Sequence, residues 1–283
     1  MMVSSVKKKK YTSMDMKKSL AFNGYKIVLV LAVALYFPLN VSAWGMLGHR
    51  IVGQIAESHL SNKAAKGVKS VLGNESLAMA SNWGDFIKSD PAFDYLYNWH
   101  FVNLPAGLDK QGVFNLLDTE KGANVYNKIP EMVAVLKNKQ SAADEKRLAM
   151  RLLIHLVGDL NQPMHTARKE DLGGNKVYLT WFGEKSNLHR VWDESLIEYQ
   201  QLSYTEYASA INYPSADQLN VWRNNSLKDF VYGSYEACNK IYANIKPDER
   251  LSYKYNFEFV GLLNEQLLKG GICLANILND IYK

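Results

Sequence analysis

The chain has 283 residues, 47% of them hydrophobic, enough to bury a full core as a single domain. Its formal charge is +5, but seven lysines and one aspartate fall in residues 1–43, leaving 26 basic against 27 acidic residues beyond them. The alkaline character therefore belongs to the leader and is no evidence for a broadly nucleic-acid-binding surface; any attraction for a polyanion has to come from a local site.

Residues 1–43 read as a targeting segment. Lys7 to Lys10, Lys17, Lys18 and Lys26 make a basic region, and Ile27 to Phe37 an apolar run too short to span a bilayer comfortably. Pro38 to Ala43 then ends in small residues at the cleavage positions, as a secretory signal requires. The expectation is a signal peptide over 1–43, removed after Ala43, and a secreted or periplasmic domain over 44–283. An uncleaved signal anchor is the alternative, and Met14 or Met16 offers a later translation start.

After the leader, Trp44-Gly-Met-Leu-Gly-His49-Arg runs into Ile51, Ile55, His59 and Leu60 at helical spacing. Ser61 or Asn62 caps a second predicted helix through Leu72, and Asn74 a third reaching Ile87. Residues 102–120, with Pro105, Gly107 and Gly112, read as a long loop. Ala123 to Lys139 and Ala142 to Asn161 carry helical periodicity. Asn175 to Phe182 alternates with period two instead, and with Gly183-Glu-Lys predicts a small hairpin near 175–186. Leu188 to Gln200, Ser215 to Ala243 and Tyr255 to Ile281 again read as helix. With no βαβ rhythm, the fold class is all-α with one minor β excursion.

Chemistry concentrates between Arg151 and Asp193. His155 precedes Asp159 by four residues, and His189 precedes Asp193 by four. On a helix, such pairs lie one turn apart on one face, and an imidazole beside a carboxylate suits a divalent ion, above all zinc. One isolated pair would be read as a buried His held by an Asp; two pairs with His165 between them favour metal. Of the six histidines, His59 sits on an ordinary helix and reads as structural or surface. His49, His100, His155, His165 and His189 remain, with Asp85, Asp159 and Asp193 as carboxylates. Cleavage after Ala43 would add the freed amine and carbonyl of Trp44 as a chelate. These donors are too many for one zinc and about right for three.

The motifs Trp44-Gly-Met-Leu-Gly-His49, Trp83-Gly-Asp85, Trp99-His100-Phe101, His155-Leu-Val-Gly-Asp159, Gln162-Pro-Met-His165, Gly173-Gly-Asn175 and Asn187-Leu-His189-Arg-Val-Trp-Asp193 occur in this order. Together they resemble the secreted zinc-dependent single-strand nucleases of fungi, with the plant bifunctional nucleases and bacterial relatives, of the phospholipase C/nuclease-like fold. The last 90 or so residues match only as generic helices.

The resemblance implies three zinc ions: a first on Asp85, His100, His155 and Asp159, a second on His165, His189 and Asp193, and a third on Trp44, His49 and the bridging Asp159. It implies an endonuclease of single-stranded DNA and RNA, leaving 5′-phosphates and removing 3′-phosphates from nucleotides, with a metal-bridged hydroxide as nucleophile. Lys88, one turn beyond Asp85, would add charge to the transition state; a solvated lysine is the plain alternative. Phe101 would stack a base, which favours single strands, unless it is simply core. Asn103 departs from an Asp found there in some members, so base preference is open. Asn175 would border the nucleotide or merely open the hairpin. Trp83, Trp99 and Trp192 read as packing behind ligands. No stable protein partner is implied, and the protein is expected to be a monomer.

Two other readings compete. A zinc-dependent phospholipase C shares the fold and a ligating Trp, but the Trp44-to-His49 interval is short as in the nucleases, and Asp193 stands where the lipases carry Glu. A non-catalytic zinc-stabilised binding module predicts that Lys88 is dispensable. Cys238 and Cys273 form a disulfide or stay as two buried thiols. Asn74-Glu-Ser76 and Asn224-Asn-Ser226 are glycosylation acceptors only in a suitable host.

Overall fold

The computed structural model describes residues 44–283; the signal peptide expected over 1–43 lies outside the described residues. The described chain opens with α1 (Met46–Ser58), α2 (Asn62–Leu72) and the single turns α3 (Leu77–Ala80) and α4 (Trp83–Phe86). Ser61 caps α2 as predicted, its hydroxyl accepting from the Ala64 amide at 3.1 Å.

The predicted helix from Asn74 to Ile87 is broken instead. It begins only at Leu77, capped by Ser76, and is interrupted at Ser81 and Asn82, both buried. The Ser81 carbonyl accepts from His155 Nδ1 at 2.7 Å, and the Asn82 amide donates to the Met46 carbonyl at 3.2 Å. The first of these bonds takes a backbone carbonyl that a continuous helix would engage, and the second ties the Asn82 side chain to α1.

Two 3₁₀ segments follow, Ile87–Ser89 and Pro91–His100, then α5 (Lys110–Thr119), inside what was expected to be loop. Asp109 starts α5 by accepting from the Gly112 amide at 2.7 Å, and Val113 and Leu117 bury its inner face. Gly107 and Gly112 masked that pattern in the sequence.

α6 (Val125–Lys137) and α7 (Ala143–Leu160) pack against each other as neighbours. From Leu152 to Leu160 every residue of α7 is buried, so this half-helix runs through the core rather than along its surface. A polar residue there has to be satisfied by its neighbours or by a ligand.

The hairpin is present as β1 (Tyr178–Trp181) and β2 (Glu184–Asn187), antiparallel and in the predicted place. Its two-residue turn holds Phe182 and Gly183 at φ 48° and 90°, as a primed hairpin turn requires. β3 (Arg250–Leu251), unanticipated because it is two residues long, adds to β1 in parallel.

The chain continues through α8, composed of Leu188–Arg190, a π turn Val191–Ser195 and Leu196–Glu198. α9 (Tyr204–Ile211), α10 (Ala216–Asn224) and α11 (Leu227–Ala243) follow. The predicted helix over 215–243 is thus two helices, split where Ser226 caps α11 in a reciprocal box with Asp229. The last helix, α12 (Tyr253–Ile281), packs most extensively on α1. Cys238 and Cys273 are both buried free thiols, which burial pushes up to about 12.

Candidate metal centre

Six separate segments deliver the polar side chains that meet in the core. His49 comes from α1, Asp85 from α4, and His100 from the end of a 3₁₀ segment. His155 and Asp159 come from α7, His165 from the 3₁₀ turn Pro163–Thr166, and His189 and Asp193 from α8. Asp159 is the hub. Its carboxylate lies 3.3 Å from His49 Nε2, 2.9 Å from His100 Nδ1, 3.2 Å from His155 Nε2 and 3.6 Å from His165 Nδ1.

Three clusters form, each with ligand atoms within 4.8 Å of one another: His49, His155 and Asp159; Asp85, His100 and His155; His165, His189 and Asp193. The third is the set expected for one ion. The other two share His155, whose ring stacks on His49 with centroids 4.1 Å apart, and they meet at Asp159.

The rings are held by their outer nitrogens. His155 Nδ1 is 2.7 Å from the Ser81 carbonyl, His165 Nδ1 2.6 Å from the His100 carbonyl, and His189 Nδ1 2.7 Å from the Gly173 carbonyl. A carbonyl only accepts, so each Nδ1 carries its proton and each Nε2 is left to present a lone pair inward. Backbone carbonyls behind imidazoles are how ligating histidines are aimed. His165 Nε2, both ring nitrogens of His49 and Asp159 Oδ1 are buried without a hydrogen-bond partner. Leaving such groups unsatisfied costs about 1–3 kcal/mol each, a cost that a shared cation removes. The donor set therefore fits divalent metal.

Charge balance leads to the same conclusion. Burial pushes Asp159 upward, but His155 and His165 outweigh it and hold the carboxyl well below its ordinary range. Burial lowers His155, yet Asp159 and Asp85 more than compensate and raise it. Burial drives His165 down to about 3 and Asp193 up to about 6. The pocket is short of cationic charge among the protein's own groups.

Close packing depends on missing side chains. A Cβ on Gly158 would lie 2.7 Å from His49 Nδ1, and one on Gly84 2.7 Å from His155 Cδ2. Gly158→Ala is expected to displace the His49 ring, costing about 1–3 kcal/mol and weakening metal binding. Denaturant unfolding beside metal content checks both effects.

Among residues outside the clusters, Lys88 Nζ sits 2.5 Å from Asp85 Oδ1. Phe101 and Asn103 lie on an extended segment tied to the His165 turn by Val102 N to His165 O at 2.9 Å and Leu104 N to Ala167 O at 3.2 Å. Val102 and Leu104 are buried, so Phe101 and Asn103, both half-buried, share the opposite face. Asn175 donates to the Leu172 carbonyl at 2.9 Å, as a turn residue does. Trp44 is fully buried, and the Gly45 amide after it donates to the Asp193 carbonyl at 2.9 Å, which brings this segment onto the third cluster. Trp192 is core, donating to the Tyr255 hydroxyl at 3.0 Å.

Sequence reasoning missed two supports. The Gln162 amide donates to Asp193 and its oxygen accepts from the Met164 amide, which binds the His165 turn to α8. Asp171 organises the loop behind His189. Gln162 stood inside a motif and could have been found there; Asp171 gave no local signal.

A family model described as S1/P1 Nuclease matches residues 44–283. Endonuclease 2 of Arabidopsis thaliana is 28% identical, over 92% of this chain and 98% of that protein. Endonuclease 3 of the same plant is 30% identical, over 84% and 89%. Nuclease P1 of Penicillium citrinum is 26% identical, over 84% and 98%.

Proposed function

Because the chain belongs to the S1/P1 nuclease family and is thus a hydrolase of nucleic-acid phosphodiester bonds, we propose that it is an exported zinc endonuclease of single-stranded DNA and RNA. Its products would carry 5′-phosphates, with release of 3′-phosphates from nucleotides as an accompanying activity. The carrying observation is the meeting of three His/Asp clusters at Asp159, with imidazoles aimed by backbone carbonyls.

Three zinc ions would be held by Asp85, His100, His155 and Asp159; by His165, His189 and Asp193; and by His49, Asp159 and the amine and carbonyl of Trp44. Bound ions would supply positive charge to the phosphate and lower the pKa of attacking water. The start of the family match at Trp44 supports removal of residues 1–43, which frees that amine.

The chain's own groups do the rest. Lys88, fixed beside Asp85 and partly exposed, offers a cation to the transition-state phosphate. Phe101 gives a face for an unstacked base, which a duplex does not present. Asn103, beside it on the same face, can both donate to and accept from that base.

Purified protein beginning at Trp44 and loaded with zinc tests the reading. It should cleave single-stranded DNA and RNA faster than duplex and leave phosphatidylcholine intact. Lys88→Met should lower kcat by about 10²–10³-fold. Phosphatidylcholine hydrolysis without nucleic-acid cleavage overturns the proposal.

A further inference from the structure

Behind His189 the backbone adopts a costly conformation. Leu172, Gly173 and Gly174 stand at φ 55°, 67° and 84° in succession. Leu172 has a side chain that disfavours this region by about 1–2 kcal/mol, and it is 48% exposed, so its own burial offsets little of that. Such strain persists only where the surroundings over-determine it, and it concentrates where geometry serves function.

Asp171 supplies the determination. Its Oδ1 accepts from the Gly174 amide at 2.8 Å, and its carbonyl from the Lys176 amide at 2.9 Å. The Gly173 amide closes the turn on the Arg168 carbonyl at 2.9 Å. From α11, the Tyr242 hydroxyl donates to both Asp171 oxygens at 2.9 and 2.8 Å, and the Arg168 guanidinium covers the Tyr242 ring at 4.1 Å. Burial and the bond to Asp171 push this phenol far above its ordinary range, so it remains a donor.

The loop delivers two carbonyls. Gly173 accepts from His189 Nδ1 at 2.7 Å, and Gly174 from the His189 amide at 3.4 Å. His189 Nε2 in turn faces Asp193 Oδ2 at 3.0 Å. No larger residue can replace Gly173, since a Cβ there would lie 2.7 Å from the Met164 carbonyl.

We propose that Asp171 and Tyr242 are positioning residues for the His165–His189–Asp193 metal site, holding the 172–174 loop so that the Gly173 carbonyl fixes the tautomer and aim of His189. This rests on the reading of that cluster as a metal site. Neither residue touches substrate or metal; both act through the loop.

The test compares zinc affinity, by competition with a chromophoric chelator, in wild type, Tyr242→Phe, Asp171→Asn and Tyr207→Phe. Cobalt-substituted spectra and steady-state kinetics on single-stranded DNA accompany it. Tyr207 bonds Asn264 between α9 and α12, so its variant controls for loss of one buried hydroxyl bond. Tyr242→Phe and Asp171→Asn should weaken one of the bound zincs about 10–100-fold, shift the cobalt spectrum, and lower kcat with KM nearly unchanged. Tyr207→Phe should lose stability and keep wild-type zinc affinity. Tyr242→Phe differs by one oxygen and reads the link even if Asp171→Asn does not fold. Wild-type affinity and spectrum in Tyr242→Phe, or equal zinc loss in Tyr207→Phe, overturns the proposal. The wild-type arm alone decides the underlying reading: a wild type that binds no zinc removes the metal site itself.

Discussion

Asp159→Asn is expected to abolish nuclease activity and to release more than one bound ion. The substitution keeps size and one acceptor oxygen but removes the charge that His49, His100, His155 and His165 surround at 3.3, 2.9, 3.2 and 3.6 Å. Changing a residue that only orients a ligand costs about 10–100-fold; a carboxylate that four imidazoles surround should cost more than that. Elemental analysis and cleavage of single-stranded DNA give the two readouts. Chelation adds a third, because each ion held at a thousandfold excess over its Kd contributes about 4 kcal/mol to stability. Removing metal should therefore lower the Tm of the wild type far more than that of Asp159→Asn. A variant that keeps its zinc and cuts at the wild-type rate would show that Asp159 is no ligand.

One extra residue before Trp44 is expected to remove one zinc and most activity from a protein otherwise identical to the chain beginning at Trp44. A peptide nitrogen has no lone pair to give a metal, whereas a terminal amine chelates together with its own carbonyl. The surroundings make relocation hard. Trp44 is fully buried, and a Cβ on Gly45 would meet Glu194 Cγ at 2.8 Å and the Asp193 carbonyl at 3.0 Å. An added residue cannot be absorbed by sliding the segment along α8. Equal zinc content and equal activity in the two proteins would mean that the third ion is not held by Trp44.

Much of the fold was legible because its signals are local. Helical periodicity and a Ser cap placed α2, and strand alternation before Gly183 placed the hairpin. Failures came where long-range contacts overrode local preference. The segment 74–87 has the composition of a helix, but His155, more than 70 residues away in the chain, takes the Ser81 carbonyl. α5 was hidden by Gly107 and Gly112, whose usual meaning is loop. Asp193 was expected on a regular helix with His189; it lies in a π turn, and the two side chains meet at 3.0 Å all the same.

The sequence by itself determined the donor inventory and its order: five histidines, three aspartates and Trp44, with the spacing between His155 and Asp159 and between His189 and Asp193. Residue type and helical period are enough to specify that much chemistry. Only the tertiary structure decided how the donors are shared. It put His155 into two clusters, Asp159 among four imidazoles, Gln162 against Asp193, and Asp171 under the Gly174 amide of the loop that meets His189. Those relations depend on backbone carbonyls and on chain segments far apart in sequence. A carbonyl is common to every residue, so its use as an anchor leaves no mark in the sequence and exists only once the chain has folded.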